Sequence, residues 1–457
     1  MQKIKPFAYF PHTEEDVQQM LNKIGVRDLQ GLYSDVPSEF IYKGEYDLPE
    51  AMSEIEVREY FEKIASENVP LKVFTGLGAY DHYCPSVVPY ILSRSEFLTA
   101  YTPYQAEISQ GTLRYIFEWQ SFICRLTGMD VANASMYDGA TSAAEAMMMA
   151  FACTKKKQRF LVSETLLPNV REVVATYAKF HGVCLETVPE KDGITSFEAV
   201  REALSKGDVA GVLVPGINKY GVIEPLGGYA DALHGAGAVL VEYCDPSSLA
   251  VIKTPGEYGA DIVCGDAQSL GIPLSFGGPY VGFLACRQDY MRKLPGRLVG
   301  ETVDVDGKRA FVLTLQAREQ HIRREKATSN ICSNQSLMAL YVTVYLALMG
   351  RDGLHGVNDL SYSGAHYLRS ELLKTGLFET PFSCERPFLK EFVLRFKGDV
   401  ASLQQRLLDA GIFAAVEVEK GLVSFCVTEK RTKEDCDRLV EAVKSLTEEG
   451  KCSLNCK

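Results

Sequence analysis

Residues 209–214 read Val-Ala-Gly-Val-Leu-Val, and residues 238–243 read Ala-Val-Leu-Val-Glu-Tyr. Each is a short and almost continuous apolar run, the pattern of a strand that is buried on both faces. Helical patterns alternate with these and with further strand candidates at residues 160–162, 183–188, 261–264 and 280–285. The alternation predicts an α/β fold with a mostly parallel sheet covered by helices. In such sheets, ligands bind beyond the carboxyl ends of the strands.

Two other regions flank this predicted sheet. On the C-terminal side, strand patterns at residues 391–396 and 422–427 alternate with helical patterns and predict a small α/β domain. On the N-terminal side, two helical pieces precede a loop-rich stretch between Leu71 and Gln110. We therefore predict an interface segment at residues 1–110, a large α/β domain at 111–350 and a small domain at 351–457.

The composition excludes several classes of protein. The 457 residues are 46% hydrophobic and 23% charged, which is ordinary for a globular chain and excludes disorder. The net charge of −11 argues against a nucleic-acid partner. The apolar run Leu337–Met349 is shorter than the ~20 residues of a membrane span and predicts a buried helix, so no membrane association is expected.

The N-terminus and the cysteines bear on the compartment. Met1–Pro6 opens the chain without an apolar signal region. Thirteen cysteines without a C-x-x-C pair predict reduced thiols in a cytoplasmic protein and no metal site.

Two segments could bind anions. In Tyr137–Glu145, small residues lead into a helix that Ser142 and Glu145 could cap, and exposed backbone N–H groups there would attract phosphate. An ordinary buried helix start explains the same residues. Arg318–Asn330 offers arginine groups for carboxylates or phosphates, although taken alone it is better explained as a solvated run of charges.

A third kind of segment is rich in tyrosine. It comprises Gly76–Pro85, with His82 and Tyr83, and Tyr101–Gln105. Tyrosine and histidine combine apolar bodies with hydrogen-bonding tips, which suits a pocket wall or an interface. A structural loop packed on the sheet is the alternative.

Four of these stretches together resemble a known family. They begin at Gly78 (Gly-Ala-Tyr-Asp-His-Tyr), Tyr101 (Tyr-Thr-Pro-Tyr-Gln-Ala-Glu-Ile-Ser-Gln-Gly), Tyr137 (Tyr-Asp-Gly-Ala-Thr-Ser-Ala-Ala-Glu-Ala) and Arg323 (Arg-Arg-Glu-Lys-Ala-Thr-Ser-Asn-Ile-Cys). In this order they resemble glycine decarboxylase, the P-protein of the glycine cleavage system. The resemblance implies the aspartate-aminotransferase fold (pyridoxal-phosphate fold type I), with a seven-stranded type of sheet and a small C-terminal domain. It extends over the whole chain and matches subunit 1 of the split two-subunit form.

The resemblance also implies a division of roles. Asp245 follows a predicted strand, where the fold places the carboxylate that faces the cofactor's pyridine nitrogen. The cofactor-anchoring lysine should follow, but the matching position holds Gln268, and an amide cannot form a Schiff base. We therefore predict no catalytic residue on this chain alone, no cofactor bound by it, and pyridoxal phosphate carried by a homologous subunit 2. An α2β2 assembly would decarboxylate glycine and transfer the aminomethyl group to the lipoylated H-protein.

The tyrosine-rich loops receive a role in this scheme. N-terminal segments of this fold reach across the subunit interface, so we predict that these loops line the partner's glycine and lipoyl entry. The residues concerned are His82, Tyr83, Tyr101, Thr102, Tyr104 and Gln105. Two alternatives remain, namely a self-sufficient pyridoxal-phosphate enzyme of the aminotransferase or desulfurase kind, and a non-catalytic scaffold with the same fold.

Overall fold

The structure is a computed structural model that describes residue 9 and residues 11–154, 157–318, 320–327, 329–331 and 333–454. The side chains of Arg318, His321 and residues 447–454 fall outside this description. The chain forms two compact units, one ending at Val69 and one beginning at Pro70. The sequence analysis ended the N-terminal segment at residue 110 instead. The three-part division stays a prediction.

The N-terminal unit contains two helices, α1 (Glu14–Ile24) and α2 (Glu54–Ala65). Each begins with a capping box, in which Thr13 or Ser53 exchanges hydrogen bonds with the acidic residue three positions later. Helix α2 begins after Ser53 because the Ser53 side chain accepts the Glu56 N–H, one of the backbone groups left free at a helix start. None of the residues of α2 is buried.

The larger unit contains the remaining elements. In chain order they are β1 (Lys72–Val73), α3 (Val87–Leu92), α4 (Ser95–Leu98), α5 (Gln110–Thr127), β2 (Val131–Ala132), α6 (Gly139–Cys153), β3 (Arg159–Ser163), α7 (Pro168–His181), β4 (Cys184–Val188), β5 (Glu190–Lys191), β6 (Ile194–Thr195), α8 (Phe197–Ser205), β7 (Val209–Pro215), α9 (Tyr229–Gly235), β8 (Val239–Tyr243), α10 (Pro255–Tyr258), β9 (Ile262–Asp266), β10 (Gly282–Cys286), β11 (Leu298–Val303), β12 (Arg309–Thr314), α11 (Gln320–Arg323), α12 (Ser336–Lys374), β13 (Phe378–Glu379), β14 (Glu391–Phe396), α13 (Val400–Asp409), β15 (Ile412–Phe413), β16 (Val416–Glu419), β17 (Leu422–Cys426) and α14 (Lys433–Leu454).

The main sheet has seven strands in the order β2-β10-β9-β8-β7-β3-β4. Strands β4, β3, β7, β8 and β9 run parallel to one another, and β10 is antiparallel to both of its neighbours. Every residue of β7 and β8 is buried, as their apolar sequences predict. Two hydrophobic clusters cover the two faces of this sheet. The predicted mostly parallel seven-stranded architecture is confirmed.

A smaller antiparallel sheet follows, with the order β13-β14-β17-β16. Helices α13 and α14 and the second half of α12 pack on it through a third apolar cluster. Its strands and helices lie close to the ranges predicted for the small α/β domain. Strand β1 pairs in parallel with β15 in a separate two-stranded sheet, and the Cys426 N–H of β17 donates to the Phe74 carbonyl at 2.8 Å, so the segment that follows Val69 is also joined to the small sheet.

Helix α12 is interrupted at Gly350, whose φ of 58° lies in the left-handed region that favours glycine. Its length and an 18-residue window with mean hydropathy 1.3 make it long and apolar enough for a membrane span. The apolar run Leu337–Met349 lies in the half before the break, where Leu340, Val342 and Tyr345 belong to the main core. Burial in that core accounts for the apolar sequence.

The start of α6 differs from the predicted capping arrangement. Asp138 is the N-cap, and its side chain accepts a hydrogen bond from the Thr141 N–H. Ser142 and Glu145 lie inside the helix. The carboxylate of Glu145 accepts a hydrogen bond from Ser329 instead, so it does not reach back to the helix start.

The core also holds an acidic group without an ionic partner. Glu242 of β8 is 2% exposed, and its Oε2 has no hydrogen-bond partner among the described residues. Burial raises the pKa of Glu242 to about 8. Between its unfolded pKa of about 4.3 and pH 8, the folded state therefore binds a proton that the unfolded state has released, so stability falls as the pH rises.

Glu242→Gln should remove this pH dependence. An uncharged amide of the same shape does not ionise, so the variant should gain stability over the parent by about 1 kcal/mol for each pH unit between pH 5 and 8. Urea denaturation at pH 5, 6, 7 and 8 measures this difference. Parallel curves for the two proteins would contradict a neutral buried Glu242.

Candidate functional site

The carboxyl ends of β8 and β9 meet one loop of the N-terminal part of the larger unit. Asp245 follows β8, and Asp266 ends β9 two residues before Gln268. The loop from Gly76 to Cys84 contacts these groups and also residues of the small sheet. The predicted ligand edge of the sheet is therefore covered by the chain itself.

Gln268 fixes this loop against the sheet. Its side chain is fully buried, and its Oε1 accepts a hydrogen bond from the Tyr80 N–H at 2.7 Å. Its Nε2 donates to the Tyr80 carbonyl at 2.9 Å and to the Ile272 carbonyl at 2.7 Å. Ser269, the next residue, donates its hydroxyl proton to Asp245. Neither side chain at this turn has an amine, so neither can form a Schiff base.

A lysine from the small domain reaches Asp245 instead. Lys390 precedes β14, and its Nζ lies 2.7 Å from Asp245 Oδ2 and 4.0 Å from the centre of the Tyr80 ring. Lys390 is 2% exposed. Burial opposes ionisation of Asp245, but the adjacent ammonium outweighs it, and the pKa of Asp245 lies below its ordinary value. This buried ion pair joins the main sheet to the small domain.

His82 extends the charged cluster. Its Nε2 lies 3.0 Å from Lys390 Nζ, and its Nδ1 lies 2.6 Å from Glu429 Oε2. Burial and the positive charge of Lys390 lower the pKa of His82. A neutral ring satisfies both contacts when Nδ1 donates to Glu429 and Nε2 accepts from the ammonium. Glu429 also accepts the Tyr83 N–H at 2.6 Å, which fixes the loop at a second point.

The N-terminus of α6 is covered by a carboxyl group. Asp266 Oδ2 accepts a hydrogen bond from the Gly139 N–H at 2.9 Å, and its Oδ1 accepts the Gln268 N–H at 2.9 Å. Burial raises the pKa of Asp266 to about 7. The space is tight, because a Cβ atom on Gly139 would come within 2.5 Å of the Tyr243 hydroxyl and 2.9 Å of Asp266. The helix start that the sequence predicted as a possible anion site is therefore bound by a carboxyl group of the chain itself.

A small cavity remains between these groups. Its volume is about 20 Å³, and its lining includes both Asp245 and Asp266, with Tyr80 and Tyr243. A space of this size has room for about one water molecule, so it does not accept a ring and a phosphate.

The predicted site residues fall into two groups. His82 is buried, and both of its ring nitrogens are engaged by the chain itself. The others lie at or near the surface: Tyr83, Tyr101, Tyr104 and Gln105 are exposed, and Thr102 is half-buried. Arg297 donates to the Tyr104 hydroxyl at 3.1 Å. The structure thus distinguishes a buried His82 from five residues at or near the surface, and the role of all six stays a prediction.

The sequence analysis missed Lys390, Glu429 and the role of Asp266. A signal was present in Phe388-Leu-Lys-Glu-Phe392, where two adjacent charges interrupt an apolar run at the start of a strand. Such charges are rarely buried unless they are paired. The partner of each could not be read from the sequence, because Lys390 and Asp245 are 145 residues apart.

The arginine-rich segment Arg318–Asn330, a predicted anion-binding site, is described only in part. Glu319, Thr328 and Cys332 lie outside the described residues. Arg323, Arg324 and Lys326 are exposed, which agrees with a solvated run of charges. Among the residues described, no group of three or more His, Cys, Asp or Glu side chains is arranged to hold a metal ion.

The strand order and the charged groups at the carboxyl edge define the class. The chain has pyridoxal-phosphate fold type I, and two distant solved structures share it. They are an alanine–glyoxylate aminotransferase from Nostoc sp. (TM-score 0.60, 16% identity, 83% of this chain and 96% of that chain) and a NifS-like protein from Rickettsia africae (TM-score 0.63, 11% identity, 83% and 99%). These likenesses establish the fold alone.

Nearer relatives identify the family. The sequence profile of the glycine cleavage system P-protein matches residues 7–443. A probable glycine dehydrogenase (decarboxylating) subunit 1 from Moorella thermoacetica is 50% identical over 96% of this chain and 99% of its own length. The corresponding protein of Geobacillus kaustophilus is 48% identical over 94% and 97%. A crystal structure of glycine decarboxylase (P-protein), in an inhibitor-bound form, has a TM-score of 0.89 at 44% identity and covers 96% of this chain and 100% of that chain. This chain belongs to the glycine cleavage system P-protein family.

The fold class implies pyridoxal phosphate, but the residues at the carboxyl edge do not fit it. No amine stands at Gln268 or Ser269, the cavity is too small, and Asp245 is already paired with Lys390. Lys390 does not supply the missing anchor, because its ammonium lies against the carboxylate that would face the ring nitrogen.

Gln268→Ala should destabilise the folded chain. The variant leaves the Tyr80 N–H and two carbonyl groups without their buried partner, which costs roughly 2–4 kcal/mol. Gln405, an exposed glutamine on α13, provides the control, and Gln405→Ala should change stability by less than about 0.5 kcal/mol. Denaturant unfolding of the three proteins measures the effect. Equal stabilities would show that Gln268 does not hold the loop.

Proposed function

We propose that this chain is the cofactor-free subunit of a two-subunit glycine decarboxylase. With a homologous subunit that carries pyridoxal phosphate, it decarboxylates glycine and passes the aminomethyl group to the lipoyl arm of the H-protein. The chain matches subunit 1 relatives over nearly its whole length, and Lys390 lies where a cofactor of its own would bind. This observation carries the proposal. The cofactor supplies the electron sink for decarboxylation, and it would be held by the partner.

The surface between residues 83 and 108 supports an association with a partner. It exposes many large apolar side chains: Tyr83, Val87, Tyr90, Leu98, Tyr101, Tyr104 and Ile108. Exposed apolar groups at this density are typical of protein interfaces. In the N-terminal unit, α2 also exposes apolar residues, including Ile55, Tyr60 and Phe61. An α2β2 assembly, with these surfaces between subunits, accounts for both observations.

The exposed loops would then contribute to the partner's site. The hydroxyl groups of Tyr83, Tyr101 and Tyr104 can donate or accept hydrogen bonds at the edge of that site and orient glycine or the lipoyl arm. His82 and Glu429 would act behind them, since Glu429 binds the Tyr83 N–H and thereby fixes the loop. His82 is in this view a positioning residue.

The compartment that we propose is the cytoplasm. Cys84, Cys244 and Cys426 are among the free thiols of the described residues, and a free thiol is the usual state of cysteine in a reducing compartment.

The assembly can be tested by purifying this chain alone and together with a homologous subunit 2. We expect no glycine decarboxylation by this chain alone and activity with the pair, because a Schiff-base lysine is needed and is supplied by the partner. Light scattering of the pair should report about four chains, as expected for an obligate interface. A chain that decarboxylates glycine by itself would favour a self-sufficient enzyme. A partner that is fully active without this chain would favour a scaffold.

Tyr101→Phe tests the contribution of the loop to turnover. Removing the hydroxyl should lower kcat of the assembled enzyme at least ~10-fold, or about 1.4 kcal/mol in the barrier. Co-purification with the partner should not change, since the aromatic ring remains. Tyr90→Phe is the matched control on the same surface and should leave kcat within about twofold. If Tyr101→Phe behaves like this control, the loop only packs at the interface.

A further inference from the structure

We propose that this chain contains internal substitutes for both charged ends of a pyridoxal-phosphate-type ligand. The ammonium group of Lys390 takes the place of a cationic ring nitrogen at Asp245, and the carboxyl group of Asp266 takes the place of a phosphate at the start of α6. The inference deepens the proposed function, on which it rests only for the role of the partner. Whether Lys390 and Asp266 fill the ligand site is a property of this chain and can be tested on it alone.

The cationic end is defined by three contacts of Lys390. The Nζ lies 2.7 Å from Asp245 Oδ2, 3.0 Å from His82 Nε2 and 4.0 Å from the centre of the Tyr80 ring. A buried carboxylate, a neutral ring nitrogen and an aromatic face are together a site for one compact cation. A bound ring would need the same carboxylate, and Lys390 already occupies it.

The anionic end lies at a helix start. Helix α6 has 15 residues, and its first backbone N–H groups attract negative charge. The Gly139 N–H binds Asp266 at 2.9 Å, and the Thr141 N–H binds Asp138 at 2.7 Å. Two side chains of the chain itself thus satisfy donors that would otherwise face an anion.

The two ends belong to one cleft. The remaining cavity of about 20 Å³ has both Asp245 and Asp266 in its lining, together with Tyr80 and Tyr243. A ligand with a cationic ring and an anionic group would need both carboxyl groups and the helix start beside them. Asp245 is already paired with Lys390 from the small domain, and Asp266 is already bound to the start of α6.

The test removes the substitute group at each end of the site separately, in the full-length chain. Lys390→Ala removes the cation, Asp266→Ala removes the carboxyl group, and a double variant removes both. The probes are pyridoxamine, which has the ring without a phosphate, inorganic phosphate, and pyridoxamine 5′-phosphate, which cannot form a Schiff base with a protein amine. Equilibrium dialysis measures binding, and circular dichroism checks that each variant is folded.

We expect each opening to create affinity for the matching probe. Lys390→Ala should bind pyridoxamine but not phosphate, and Asp266→Ala should bind phosphate but not pyridoxamine. The double variant should bind pyridoxamine 5′-phosphate at least ~10-fold more tightly than either single variant. Lys390→Met is the matched control, because it refills the space without charge and should not bind pyridoxamine. Saturable binding of pyridoxamine 5′-phosphate by the unmodified chain, or no binding by any opened variant, would overturn the inference.

A measurement on the unmodified chain covers the case in which the alanine variants do not fold. Incubation with pyridoxal phosphate, borohydride reduction and peptide mass spectrometry reports which amines are accessible. Lys308 is 76% exposed at its side chain and should be labelled, whereas Lys390 should be labelled at least ~10-fold more slowly. Equal labelling of the two lysines would refute the closed site. None of these results depends on whether the partner subunit activates the chain, so failure of the proposed function would be seen separately.

Discussion

The ion pair between Lys390 and Asp245 organises the centre of this protein. The side chains of Lys390 and Asp245 are 2% and 10% exposed, and removing one partner of a buried pair typically costs about 3–5 kcal/mol because the other charge is left without compensation. The pair is satisfied by its surroundings, since Lys390 also lies over the Tyr80 ring and next to a neutral His82. It connects the main sheet to the small domain, and the loop that carries Tyr80 and His82 is held between the two.

In this arrangement the ligand-binding edge of the sheet is filled, whereas apolar side chains stay exposed on the surface. The carboxyl edge of the main sheet, where this fold binds ligands, is filled by side chains of the chain itself. The aromatic residues between Tyr83 and Ile108 are instead exposed, as is α2 in the N-terminal unit. A subunit that completes another chain's site needs a fixed platform and a surface for contact, and it does not need a cleft of its own. In the proposed arrangement, Lys390 and Asp266 keep the carboxyl edge of the main sheet filled without a cofactor.

Some parts of the structure were accessible to sequence reasoning for local reasons. The strands β7 and β8 are continuous apolar runs because both of their faces are covered, and this pattern survives in the sequence. The small domain was predicted because strand patterns and helical patterns also alternate in its sequence. The hairpin of β11 and β12 was missed, since only three of its twelve residues are buried and its pattern is weak. The capping of α6 was wrongly placed at Ser142, because the helix begins three residues earlier, at Gly139, where Asp138 is the N-cap and binds the Thr141 N–H.

The sequence by itself determined the fold class, the family and the absence of an amine at Gln268, since each of these is written in local patterns and motifs. The tertiary structure decided what replaces the missing anchor. Lys390 stands 145 residues after Asp245, and His82 stands 347 residues before Glu429. The sequence shows that charged residues are present but not which of them meet, because pairing across such separations depends on how the small domain packs on the main sheet. The burial that makes these contacts strong arises only when both domains are folded.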